Sequence, residues 1–229
     1  MEFQKISRVF TFLMITAFML MSGCASIKNA PLSNDVSAID TSKESIGFFT
    51  VKISNEKNTN YQPELKYAFI WAEENGEEGG EKYSFEVNEA YKSVDETFNE
   101  YVVSFQLKPG DYVIRELFAQ SGLFPFVGSF AVPLYSAITV PENTTMYLGH
   151  IDANVVDRVD DDLLRAGPII PLIDQSVTGA SGGTFMINIE DRFETDEALL
   201  KNMFSYMGGV KIENMSLNQW KQPSEEEMN

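Results

Sequence analysis

Apolar residues recur at every second position through a series of short runs in this chain, and turn-forming residues bound several of them. A pleated strand with one buried face produces that period, whereas a helix does not. The runs are IGFFTVKIS from Ile46, LKYAFIWA from Leu65, EKYSFEV from Glu81, EYVVSFQL from Glu100 and DYVIRELFA from Asp111. They continue with FVGSFAV from Phe126, SAITV from Ser136, TMYLGHIDA from Thr145 and TFMINIED from Thr184. Between several of them, ENGEEGG at Glu74 to Gly80, KPGD at Lys108 to Asp111 and TGASGG at Thr178 to Gly183 carry the glycines that turns require. Many short strands without helices between them predict a mainly β chain, a single antiparallel β-sandwich over residues 46–214.

One helix is expected, from Thr195 to Met207. Thr195 is placed to cap it, Asp196 and Glu197 sit where the macrodipole favours negative charge, and Leu199, Leu200, Met203, Phe204 and Met207 share one face. Gly208 and Gly209 end it. That face is no broader than packing on the sandwich needs. Residues 24–45, rich in Ser, Asn, Asp and Ala, read as a flexible tether with a reach of about 25 Å. Residues 215–229, polar apart from Trp220, read as a fraying tail.

The N-terminus has its own pattern. Lys5 and Arg8 precede an uncharged run from Val9 to Met21, and small residues follow at Ser22 and Gly23. That layout is a secretory signal, residues 1–23. As a helix the run rises only about 20 Å, short of the roughly 30 Å hydrocarbon core. Met21-Ser22-Gly23-Cys24 resembles the lipobox of bacterial lipoproteins, with Met where Leu is usual. The resemblance implies cleavage before Cys24, a diacylglycerol on its sulfur and a freed amine open to further acylation, with the membrane as partner through those chains. In two-membrane bacteria it also implies outer-membrane sorting, because Ala25 and Ser26, not aspartate, follow the cysteine.

Cleavage removes Glu2, Lys5 and Arg8 and leaves a net charge of −18. Such a chain is repelled by phosphate backbones, so nucleic acid is not an expected partner. Cys24 is the one cysteine, so no disulfide is possible and stability must come from the core. Within the domain, Leu107-Lys108-Pro109-Gly110-Asp111-Tyr112 resembles the L-x-P-G-x-Y hairpin of transthyretin-like sandwiches, the carboxypeptidase regulatory-like domains among them. It implies a fold class and carries no catalytic residue.

Chemical motifs are sparse. Gly179-Ala180-Ser181-Gly182-Gly183 matches G-x-S-x-G, but a strand-like run follows it and the single histidine, His150, precedes it, the reverse of what a nucleophile elbow needs. His150 alone makes no multi-histidine zinc site and reads as a hydrogen-bonded strand residue. Asp157, Asp160, Asp161 and Asp162 lack the ligand alternation of a calcium loop and read as a solvated turn. The Glu73, Glu74, Glu77, Glu78 and Glu81 group reads the same way. No metal or cofactor site is expected. Leu123, Phe124 and Phe126 crowd a loop at 121–128, a contact surface for a ligand or an envelope protein if exposed, and the lid of a core if buried. The expected function is therefore a lipid-anchored, non-enzymatic binding or accessory module of the cell envelope. The alternatives are a hydrolase using carboxylates such as Glu116 and Asp152, or an assembly protein docking through loop 121–128.

Overall fold

In a computed structural model, which describes residues 26–74, 77–87, 98–122, 127–169 and 175–228, the period-two runs become strands. Cys24 and the apolar residues Leu123, Phe124 and Phe126 lie outside the described residues. The strands are β1 (Ser26–Lys28), β2 (Ser45–Asn55), β3 (Glu64–Glu74), β4 (Glu77–Glu86) and β5 (Phe98–Leu107), then β6 (Gly110–Ser121), β7 (Gly128–Val140), β8 (Thr145–Asp157), β9 (Gly183–Glu190) and β10 (Ile212–Asn214). One five-stranded sheet, sheet A, has the order β1-β4-β3-β6-β7. The other, sheet B, has the order β10-β8-β2-β5, with β9 also on β8.

The core lies between the sheets. Phe49, Val51 and Ile53 of β2, Phe105 of β5 and Leu148, Ile151 and Val155 of β8 meet Ala68, Ile70, Phe85, Ile114, Leu117 and Val132 of sheet A. Alternation sends Thr50, Lys52, His150 and Asp152 to the outside of sheet B, and Tyr67, Phe69 and Trp71 to the outside of sheet A.

The chain is mainly β and fits the expected sandwich with one helix, with one difference: the two sheets are mixed, not wholly antiparallel. β2 pairs with β8 in parallel, as do β1 with β4 and β10 with β8. Alternation is identical in both pairing modes, so the sequence pattern does not distinguish them. The β2–β8 pair needs a crossover, and the intervening strands β3 to β7 provide it. Residues 128–132 and the run at Ser136 belong to one strand, β7, in which Tyr135 has φ +48°. Pro133 is tolerated there because β7 is an edge.

The PG turn forms as its residues suggest. The Tyr112 hydroxyl donates to the Lys108 carbonyl at 3.0 Å, and Gly110 has φ +155°. Gly110→Val is expected to destabilise by about 1–3 kcal/mol. A chemical denaturation midpoint identical to that of the wild type would contradict this.

The helix, α1 (Phe193–Met203), starts two residues before the expected Thr195. Asp191 closes its first turn, its Oδ1 accepting from the Phe193 N–H at 3.0 Å. The Asp191 carboxyl is held below the usual range by its hydrogen bond from Asn214 and then by that N–H. The helix stops at Phe204, which is extended, and a 3₁₀ turn, Ser205–Gly209, follows. Leu200, Phe204 and Met207 thereby reach a second core with Phe48, Val102 and Tyr147 on the outside of sheet B. A last turn, α2 (Glu225–Met228), closes the described chain.

Both termini of the domain depart from expectation. The segment read as a tether is docked: Ser26–Lys28 pairs with β4, Leu32 is 1% exposed in the second core, and its N–H donates to Ser104 Oγ at 3.3 Å. A lone leucine in a polar stretch has no period to betray it. The expected fraying tail is docked too. The N–H groups of Met215 and Leu217 donate to the carbonyls of Tyr147 and Leu148, and Trp220 Nε1 donates to the Pro133 carbonyl at 2.6 Å. The tail thus bridges sheet B to the β7 edge of sheet A.

Candidate functional site

Two places concentrate chemistry. The first lies under the start of α1, on the outside of sheet B. Thr50 comes from β2, Tyr147 and His150 from β8, and Asp196 and Arg192 from the helix and its cap. Asp196 is 1% exposed and His150 is 3% exposed.

The protons of this cluster can be placed one by one. Thr50 Oγ1 and Tyr147 Oη both donate to Asp196 Oδ2, at 2.5 and 2.6 Å. With its proton committed there, Thr50 Oγ1 accepts from His150 Nδ1 at 2.8 Å. His150 Nε2 therefore carries no proton and accepts from Arg192 Nη1 at 3.1 Å. Arg192 Nη2 completes the ring 3.8 Å from Asp196 Oδ1. Burial, and then the Arg192 charge, hold the His150 pKa below its ordinary 6.5, in agreement with a neutral ring. Burial, and then the bond to Asp196, raise the Tyr147 phenol.

This arrangement is a clasp, not a catalytic dyad. A base must accept the nucleophile's proton, whereas His150 donates to Thr50 and the Thr50 proton points at Asp196. The adjoining cavity of about 110 Å³, lined by Glu100, Tyr101, Val102, Thr195 and Leu199 as well, has room for a few waters. The clasp has a pH signature. A folded pKa below the unfolded value gives stability that is full above about pH 6.5 and is lost as pH falls toward the folded value. The unfolding temperature is expected to drop more for the wild type than for His150→Asn between about pH 7.5 and 5.5, since asparagine keeps the donor to Thr50 and does not titrate. Parallel curves would contradict the assignment.

The second place is a groove of about 390 Å³ on the outside of sheet A, lined by Phe69, Trp71, Lys82, Ser84, Arg115 and Glu116. Lys82 Nζ stands 3.7 Å from the Trp71 ring centroid and Arg115 Cζ 4.1 Å from it. Arg115 is 7% exposed and donates to Tyr135 Oη and to the carbonyls of Glu227 and Met228. The tail thereby locks it as part of the floor. Phe69, Tyr67 and Phe118 continue an aromatic row, with Tyr67 6.3 and 6.4 Å from the other two. Burial raises the pKa of Glu116. The arrangement offers half-buried rings, an exposed cation and a carboxyl group.

The residues singled out by the sequence are dispersed. Glu116 faces outward from sheet A, whereas Asp152 faces outward from sheet B, 3.0 Å from Lys52 Nζ. Sheets pack about 10 Å apart, while a carboxylate pair flanking one glycosidic bond stands about 5–9.5 Å apart, so these two do not act together. Ser181 precedes β9 at the Asp157 end of β8, seven residues from His150, roughly 23 Å along the strand. Asp157 pairs with Lys57, and Asp161 with Arg158. Among the described residues, no three His, Cys, Asp or Glu side chains converge as metal ligands, and no helix is long and apolar enough to cross a membrane. Both sites were missed in the sequence because they form across strands. The only trace of the groove is that Tyr67, Phe69 and Trp71 alternate with the core residues Ala68 and Ile70.

No family model, curated protein or solved structure matches the chain.

Proposed function

We propose that the protein is a bacterial lipoprotein of the cell envelope, anchored by acyl chains on Cys24, and that it serves as a non-enzymatic binding module whose ligand surface is the groove around Trp71. Anchoring rests on the lipobox-like Met21-Ser22-Gly23-Cys24 after a charged start and a short apolar run. Two or more acyl chains on one residue make release negligible. The binding reading is carried by one observation: the groove sets half-buried aromatic rings beside an exposed lysine. Such a surface recognises a ligand without needing to break a bond in it. The L-x-P-G-x-Y hairpin supports a transthyretin-like class for the sandwich. In a two-membrane cell the destination is the outer membrane, given Ala25 and Ser26.

Membrane fractionation tests the anchor. Wild type is expected with outer-membrane markers and Ala25→Asp with inner-membrane markers. An unchanged distribution of Ala25→Asp would remove the sorting claim. Photocrosslinking from position 82 tests the surface: adducts are expected from there and not from position 188 on sheet B, and equal yields would contradict it.

A further inference from the structure

Anchor and groove lie on the same sheet, close together. Cys24 is two residues before Ser26, so the two Cα atoms are at most about 7 Å apart. Ser26 pairs with Tyr83 on β4, and the neighbouring Lys82 pairs with Trp71 on β3. With strands about 4.8 Å apart, the Trp71 Cα stands about 10 Å from that of Ser26. The following segment cannot act as a spacer, because it is fastened at Leu32 and through hydrogen bonds joining Ser33 to the Tyr206 hydroxyl. Cysteine-linked acyl chains entering a bilayer therefore hold this part of sheet A at its surface.

The side chains there suit that place. Trp71, Phe69 and Tyr67 are half-buried rings facing outward, and Lys82 is exposed beside Trp71. Aromatic rings and long cationic side chains are the residues that settle at the headgroup layer. Lys82 is the exposed cation that the groove offers to a lipid phosphate.

We infer that the Trp71 groove is a bilayer-contact site, its rings and Lys82 engaging phosphate-bearing lipid headgroups of the leaflet that holds Cys24. The inference rests on the proposed acylation and names the partner of the groove. The acidity of the whole chain opposes free adsorption, so contact depends on the anchor.

The test uses the mature acylated chain, purified from membranes and reconstituted into phosphatidylcholine vesicles carrying a headgroup spin label. Trp71 and Trp220 are the two tryptophans, so comparison with Trp71→Phe isolates Trp71 emission. That emission is expected to be lost to quenching in the anchored chain. It should persist in Cys24→Ser mixed with the same vesicles. It should also return when about 15 Gly/Ser residues, spanning roughly 20 Å, are inserted between Ala25 and Ser26. A dye on Lys82→Cys gives the same reading if Trp71→Phe folds poorly. Emission from Trp71 that is indifferent to the spin label, in a chain that carries lipid and floats with the vesicles, overturns the inference and leaves the anchor standing. A chain that carries no lipid overturns both.

Discussion

Asp196→Ala is expected to destabilise the protein by about 3 kcal/mol. The Asp196 carboxyl group accepts from both the Thr50 and Tyr147 hydroxyls in a site with 1% exposure. Alanine leaves two buried donors without an acceptor, each costing roughly 1–3 kcal/mol, partly relieved by entering water. It also strands Arg192 beside His150. Asp196→Asn keeps an oxygen where Oδ2 stands and should cost markedly less. Urea denaturation of the two variants decides the matter: equal losses would mean that the hydroxyls do not depend on that acceptor.

The second large effect is expected in the main core. Phe105 is 0% exposed, 5.9 Å from Phe85 between ring centroids, and lies directly across from Gly47 on the paired strand. Phe105→Ala should cost about 3–5 kcal/mol through lost burial and the cavity left behind. The Phe105 ring occupies the space above Gly47, where an added Cβ would stand 2.2 Å from Phe105 Cζ. Gly47→Ala must therefore displace a packed ring, at about 1–3 kcal/mol. In the Phe105→Ala background that clash is gone, so the two losses should not add. Strict additivity in a double-mutant cycle would contradict the packing.

The same pair shows what the sequence could and could not convey. Phe105 lies in a period-two run, so its burial was legible, as was that of most core residues in the main strands. Gly47 was just one more residue of a run, because a close approach across strands leaves no mark on either strand alone. Parallel pairing of β2 with β8 was illegible for the same reason. Leu32 and Trp220 were misread as parts of mobile ends because single apolar residues carry no period. The clasp drew Thr50, His150 and Asp196 from positions up to 146 residues apart, so only the position of His150 on its strand and its role as a hydrogen-bonding residue were visible beforehand. The lipobox-like pattern around Cys24, in contrast, is local, so the proposed anchor rests on the sequence alone.

The intact mass and N-terminal peptide of the protein purified from membranes test the central claim most directly. A chain beginning at Cys24, with a diacylglycerol mass on that residue that is absent from Cys24→Ser, is the predicted result. A mature chain without lipid mass, or one beginning at another residue, would contradict the anchor and with it the assignment to the envelope.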